Sequence, residues 1–124
     1  MAVYDVAIIT PKKGELEAVR EAIVKEAAAS HTEKGIKVWT LFEATQEGLC
    51  SLNEDGSLNY ELRDISPVLF TIEKYDDEEA YQAHLKTPWC NETSAIVLPR
   101  VAAPVKIYHL TTNHTVDLGP KGDL

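Results

Sequence analysis

Four histidines, His31, His84, His109 and His114, are the side chains of this 124-residue chain that ordinarily titrate near neutrality and that could also hold a metal. No HxH or HxxxH pair occurs, and His109 and His114, five apart on an expected strand, point to opposite faces. That spacing predicts no metal site. No serine sits in a G-x-S-x-G setting, and no glycine-rich loop could cradle a phosphate, so hydrolase and nucleotide-binding chemistry fall away. What remains is a set of aromatic and polar side chains: Trp39, Phe42, Phe70, Tyr75, His84, Trp89 and Tyr108. Together they suit a barrel-like apolar cavity for a flat, small hydrophobic organic ligand.

The elements that must position them are read from periodicity. Val68–Tyr75 is β-branched and aromatic, a strand covered on both faces. Asp76 stands where an N-cap would, with Glu79 three residues on as the other half of a capping box. The helix that follows carries Ala80, Ala83, His84 and Thr87 on one face, which puts His84 on or beside the buried stripe. Thr87-Pro88 predicts a kink and a second cap, opening a helix with Trp89, Thr93, Ile96 and Val97 inward. Earlier, Val3–Thr10 reads as a central strand whose one charge, Asp5, is expected to reach solvent. An amphipathic helix is expected over 14–29, and His31 falls in a solvated turn.

Ile36–Ala44 places Ile36, Val38, Thr40, Phe42 and Ala44 on one face and Lys37, Trp39, Leu41 and Glu43 on the other. Large apolar groups on both faces call for two covers, helices on one side and most simply a second subunit's sheet on the other. A homodimer follows, unless Trp39 merely packs against a loop. Residues 45–67 hold a strong turn signal, Asn53–Ser57, between apolar runs, and read as an inserted hairpin, a lid or a surface loop. Val105–Leu110 is the last strand, and residues 111–124 form an irregular tail that could wrap a partner. The order β-α-β-(hairpin)-β-α-α-β is α+β: a single domain over 1–124 with a ferredoxin-like antiparallel sheet and helices on one face.

The totals narrow the partners. With 12 basic and 20 acidic residues the net charge is −8, and no Lys/Arg cluster exists to attract nucleic acid or anionic lipid. Cys50 and Cys90 are too isolated for a zinc motif or disulfide framework and read as buried free thiols. No signal-like segment opens the chain and no apolar run nears the roughly 20 residues of a membrane span, so a soluble, cytoplasmic protein is expected.

Glu73-x-Tyr75-x-Asp77, then Ala80, His84, Thr87 and Trp89, resembles the strand-to-helix signature of the antibiotic biosynthesis monooxygenase (ABM) domain family, whose members are dimeric α/β barrels. Pro11–Glu15 and Glu33–Gly35 resemble that family's lead-ins, and residues 45–67 depart from its short hairpin connection. The resemblance implies oxygenation with no cofactor, in which a substrate phenolate or enolate supplies electrons to dioxygen. On that reading His84 is the base, Tyr75 and Trp89 offer O–H and N–H groups to an oxyanion, and Trp39, Phe42, Phe70 and Tyr108 hold the substrate. His84 equally suits a structural role fixing its helix, and the aromatics suit core packing. Relatives that isomerise or bind metabolites leave a non-catalytic binding or assembly protein, or an isomerase, as alternatives. A haem-degrading role lacks the expected asparagine on the first strand.

Overall fold

The computed structural model describes residues 1–114. Its elements run β1 (Val3–Ile9), α1 (Leu16–Ser30), β2 (Ile36–Leu52), β3 (Leu58–Tyr75), α2 (Glu78–Leu85), α3 (Pro88–Val97), a 3₁₀ turn (Leu98–Arg100) and β4 (Lys106–Thr111). The four strands form one antiparallel sheet in the order β2-β3-β1-β4, with the helices on one face, as the sequence predicts for a ferredoxin-like α+β fold. The expected tail lies outside the described residues from position 115 onward. Among the described residues no helix is long and apolar enough to cross a membrane.

Several boundaries differ from expectation for local reasons. Gly14 takes φ of 86°, a left-handed conformation that holds α1 back to Leu16. The cap of α2 is Asp77, whose carboxylate accepts from Ala80 N at 2.8 Å, while Asp76 turns instead to Lys37 at 3.5 Å. The Thr87 cap is as predicted: its hydroxyl accepts from Cys90 N with Pro88 in the first turn. Gly35 approaches the first turn of α2 closely, since a Cβ there would lie 2.5 Å from Ala80 Cβ.

A bulge between Ile36 and Val38 breaks the alternation expected for β2. Ile36 therefore turns to the helix side and packs on the core of Ile9, Val19, Ala22, Ile23, Trp39, Leu69 and Val97, rather than sharing a face with Val38 and Phe42. Residues 45–67 add no separate strands. They prolong β2 and β3 into a two-stranded arm, paired from Gln46↔Asp64 to Leu52↔Leu58 and closed by a turn in which Asn53 and Ser57 pair at 2.8 Å. Cys50 lies exposed on this arm and Cys90 is half-buried, so neither thiol is the fully buried one expected.

The helix-free face carries an apolar patch. Phe42 and Phe70 stack there with ring centroids 5.0 Å apart, and Tyr108 and Leu110 on β4 are more than half exposed.

Candidate active site

Strand register places four aromatic or titratable side chains in one row across the helix side of the sheet. Trp39 on β2 is opposite Glu73 on β3, Glu73 is opposite Asp5 on β1, and Asp5 is opposite His109 on β4. Side chains two residues apart share a face, so the next row is Leu41, Thr71, Ala7 and Ile107. Over these rows the helices leave a cavity of 210 Å³. Asp5, Glu73, Thr71 and Trp39 line its floor, Tyr81 and His84 come from α2, Cys90 and Thr93 from α3, and Glu26 from α1. Leu85, Leu98 and Ile107, each at least 39% exposed, give it an apolar mouth.

The floor is polar and buried. Glu73 accepts from Tyr75 Oη at 2.5 Å and Thr71 Oγ1 at 2.8 Å. Burial lifts the Glu73 carboxyl above its ordinary range; the two hydrogen bonds oppose that rise and the nearby Asp5 carboxylate adds to it. Asp5, expected at the surface, is 4% exposed, because His109 Nδ1 covers it at 2.5 Å. His109 also meets Glu78 through Nε2 at 2.8 Å. Burial works against the His109 imidazolium, but its bonds to Asp5 and Glu78 raise its pKa overall. Beside Glu73, the indole N–H of Trp39 is buried with no hydrogen-bond partner among the described residues. An orphaned buried donor costs about 1–3 kcal/mol, and a ligand oxygen in the cavity would relieve it.

His84 sits between two carboxylates, with Nδ1 2.9 Å from Glu33 and Nε2 3.4 Å from Glu26. Burial pushes its pKa down, yet contacts with Cys90, Glu26 and Glu33 outweigh this and lift it to about 11. These contacts favour the imidazolium, the form that donates a proton, whereas the sequence reading assigned the ring as a base. Tyr75 and Trp89 are likewise committed: the phenol donates to Glu73 and the indole to Glu33 at 3.0 Å, so neither is free for an oxyanion. Burial, then the charge on Glu73, pushes the Tyr75 phenol upward, so it remains a donor.

The residues singled out from the sequence do not all meet. Trp39, Tyr75, His84 and Trp89 lie on the helix side, and of these only Trp39 and His84 line the cavity. Phe42 and Phe70 pair with one another on the opposite face. Tyr108 is on that face too, opposite Val6 on the register that sets His109 toward the helices. These three are separated from the cavity by the thickness of the sheet.

No protein-family profile matches the chain, and no curated protein matches it. Solved structures do match. Rv0793 of Mycobacterium tuberculosis superposes with a TM-score of 0.70, covering 94% of this chain and 100% of its own at 17% identity. A candidate antibiotic biosynthesis monooxygenase of Nitrosomonas europaea gives 0.69, with 94% of each chain covered at 16% identity. PA3566 of Pseudomonas aeruginosa gives 0.67, with 91% of this chain and 95% of its own at 20% identity. The chain has the antibiotic biosynthesis monooxygenase fold. At such identities the likeness is one of fold, so the chemistry of this ABM-fold cavity rests on its own residues. Glu73, Asp5, Glu26 and Glu33 are acids to which sequence reasoning gave no site role, although Glu73 stood in the signature. A lone acid inside an apolar strand was the signal available for Asp5, whereas Glu26 looked like any other acid on an amphipathic helix.

Proposed function

We propose that the chain is a monooxygenase acting on a small hydrophobic phenol, hydroquinone or enolisable ketone held between sheet and helices, with Glu73 as the base. The observation that carries this reading is the pairing of a buried carboxylate with an unpartnered donor, Glu73 and Trp39, on the floor of an apolar-mouthed cavity. A carboxylate lifted by burial can accept a phenolic or α-carbon proton at neutral pH. The Trp39 N–H then stabilises the oxyanion that forms. The carbanion supplies electrons to dioxygen, a hydroperoxide forms at carbon, and loss of water leaves a new carbonyl. The balance is CH₂ plus O₂ giving C=O plus H₂O, with the substrate as the reductant and no flavin or haem required. A volume of 210 Å³ lies below the roughly 300–1,000 Å³ of sites for drug-sized ligands, which favours one or two rings over three.

Oxygen uptake by colourless, chelator-treated protein with simple hydroquinones and naphthols tests this. Uptake matched to substrate consumed is expected. Activity that appears only with flavin or haem overturns the mechanism. A reaction that exchanges substrate protons without consuming oxygen would instead mark an isomerase, which needs the same base and donor.

The partner reading is a homodimer joined through the helix-free face. Its support is the exposed apolar surface of Phe42, Tyr108 and Leu110, continuous with Val6, Ile8, Phe70 and Ile72 by strand register.

A further inference from the structure

Each of the three helices sends one potential metal ligand to the same wall of the cavity. Glu26 comes from α1, His84 from α2 and Cys90 from α3, and their ligand atoms all lie within 4.8 Å of one another. Bonds of about 2.0–2.3 Å around a tetrahedral zinc set ligand atoms about 3.3–3.8 Å apart, so modest side-chain adjustment closes the site. His84 is oriented for this. Its Nδ1 is held by Glu33 at 2.9 Å, and Glu33 is itself fixed by Trp89 Nε1 at 3.0 Å. Such a carboxylate behind an imidazole is the usual outer support of a metal-bound histidine. The front nitrogen, Nε2, is 3.4 Å from Glu26, beyond the usual ~2.7–3.2 Å of a good N–H···O bond. Imidazole nitrogen, carboxylate oxygen and thiol sulfur thus surround one point, with His84 only 3% exposed.

We propose that Glu26, His84 and Cys90 bind one divalent transition-metal cation of the zinc class, with the fourth coordination position open to the cavity. A mixed nitrogen, oxygen and sulfur set suits zinc or cobalt and is poor for magnesium or calcium, which prefer oxygen alone. On binding, the cation takes the Nε2 lone pair, one Glu26 oxygen and the Cys90 sulfur. The thiol proton, and any proton on Nε2, leave to solvent. Carboxylate and thiolate together offset the dication, and the Glu33 carboxylate stays hydrogen-bonded to the N–H of the neutral imidazole. Residue spacing concealed the set, because its members come from three separate helices rather than from one motif.

The site goes beyond the oxygenation reading, and its test uses no substrate. The full chain carrying Cys50→Ser, which removes the other thiol, is stripped with chelator and titrated with Co²⁺ and then Zn²⁺. One equivalent per chain is expected, with the intense visible bands of tetrahedral cobalt and a near-ultraviolet thiolate-to-cobalt band, both lost as zinc displaces it. Cys90→Ser should abolish the ultraviolet band and weaken binding at least tenfold, and Glu33→Gln should weaken it by about 10–100-fold while leaving the band in place. Both variants keep the buried histidine, and each is shown to be folded by circular dichroism before titration. No saturable binding at micromolar cation overturns the proposal. So does a complex without the sulfur band, or one indifferent to Cys90→Ser and Glu26→Gln.

Discussion

Trp39 and Glu73 stand opposite one another on β2 and β3, one a buried donor with no partner among the described residues and the other a buried carboxylate. The pair unites an acceptor and a donor within one cross-strand step. A substrate hydroxyl can give its proton to one and leave its oxygen bonded to the other.

Trp39→Phe removes the N–H and keeps most of the packing. Because that N–H satisfies nothing within the described protein, thermal stability should hold or rise slightly. Turnover of a hydroquinone should fall by about 10²–10³, the usual loss of one oxyanion donor. Unchanged turnover in a folded variant would remove Trp39 from the mechanism.

Glu73→Gln keeps the shape and removes the base, and oxygen uptake should drop by about 10²–10⁴. Stability moves the other way with pH. The folded-state pKa of Glu73 is raised, so the native chain binds more protons than the unfolded one between the ordinary carboxylate value and the raised one. Its contribution is therefore most favourable at acid pH and is lost as pH rises through that window. Denaturant melts should show the variant gaining on the parent as pH rises above the ordinary carboxylate range, and a gap that is constant with pH would contradict the assignment.

His84→Ala leaves Glu26 and Glu33 facing a void where the imidazolium stood. Breaking a buried ion pair by deleting one partner costs about 3–5 kcal/mol, and urea unfolding should show a loss of that order. An alanine variant as stable as the parent would mean that the ring does not hold these helices together.

In solution the chain should run as a dimer at twice 13.8 kDa by light scattering. Phe42→Arg puts a charge beside Phe70 on the helix-free face, far from the cavity, and should yield a folded monomer. A parent that is monomeric at micromolar concentration, or an interface burying well under about 1,000 Å², would refute the arrangement.

Periodicity and turn chemistry were enough to read the element order, the Thr87 cap and the one-sided helical cover, because these depend on neighbours within a few residues along the chain. The position of His84 on the buried stripe of α2 was legible for the same reason. Its charge state was not, since that depends on Glu26 and Glu33, 58 and 51 residues away. Alternation also failed at one bulge, which turned Ile36 toward Trp39 and away from Phe42. Face assignment then decided which aromatics could share a cavity, and the sheet divided Trp39 from Phe42, Phe70 and Tyr108. Asp5 and His109 carried no motif and Glu73 stood in the signature without a role, yet three strands far apart in sequence align them in a single row. Which atoms meet, and so which protons they hold, was fixed by register and by burial, and neither quantity exists before the chain folds.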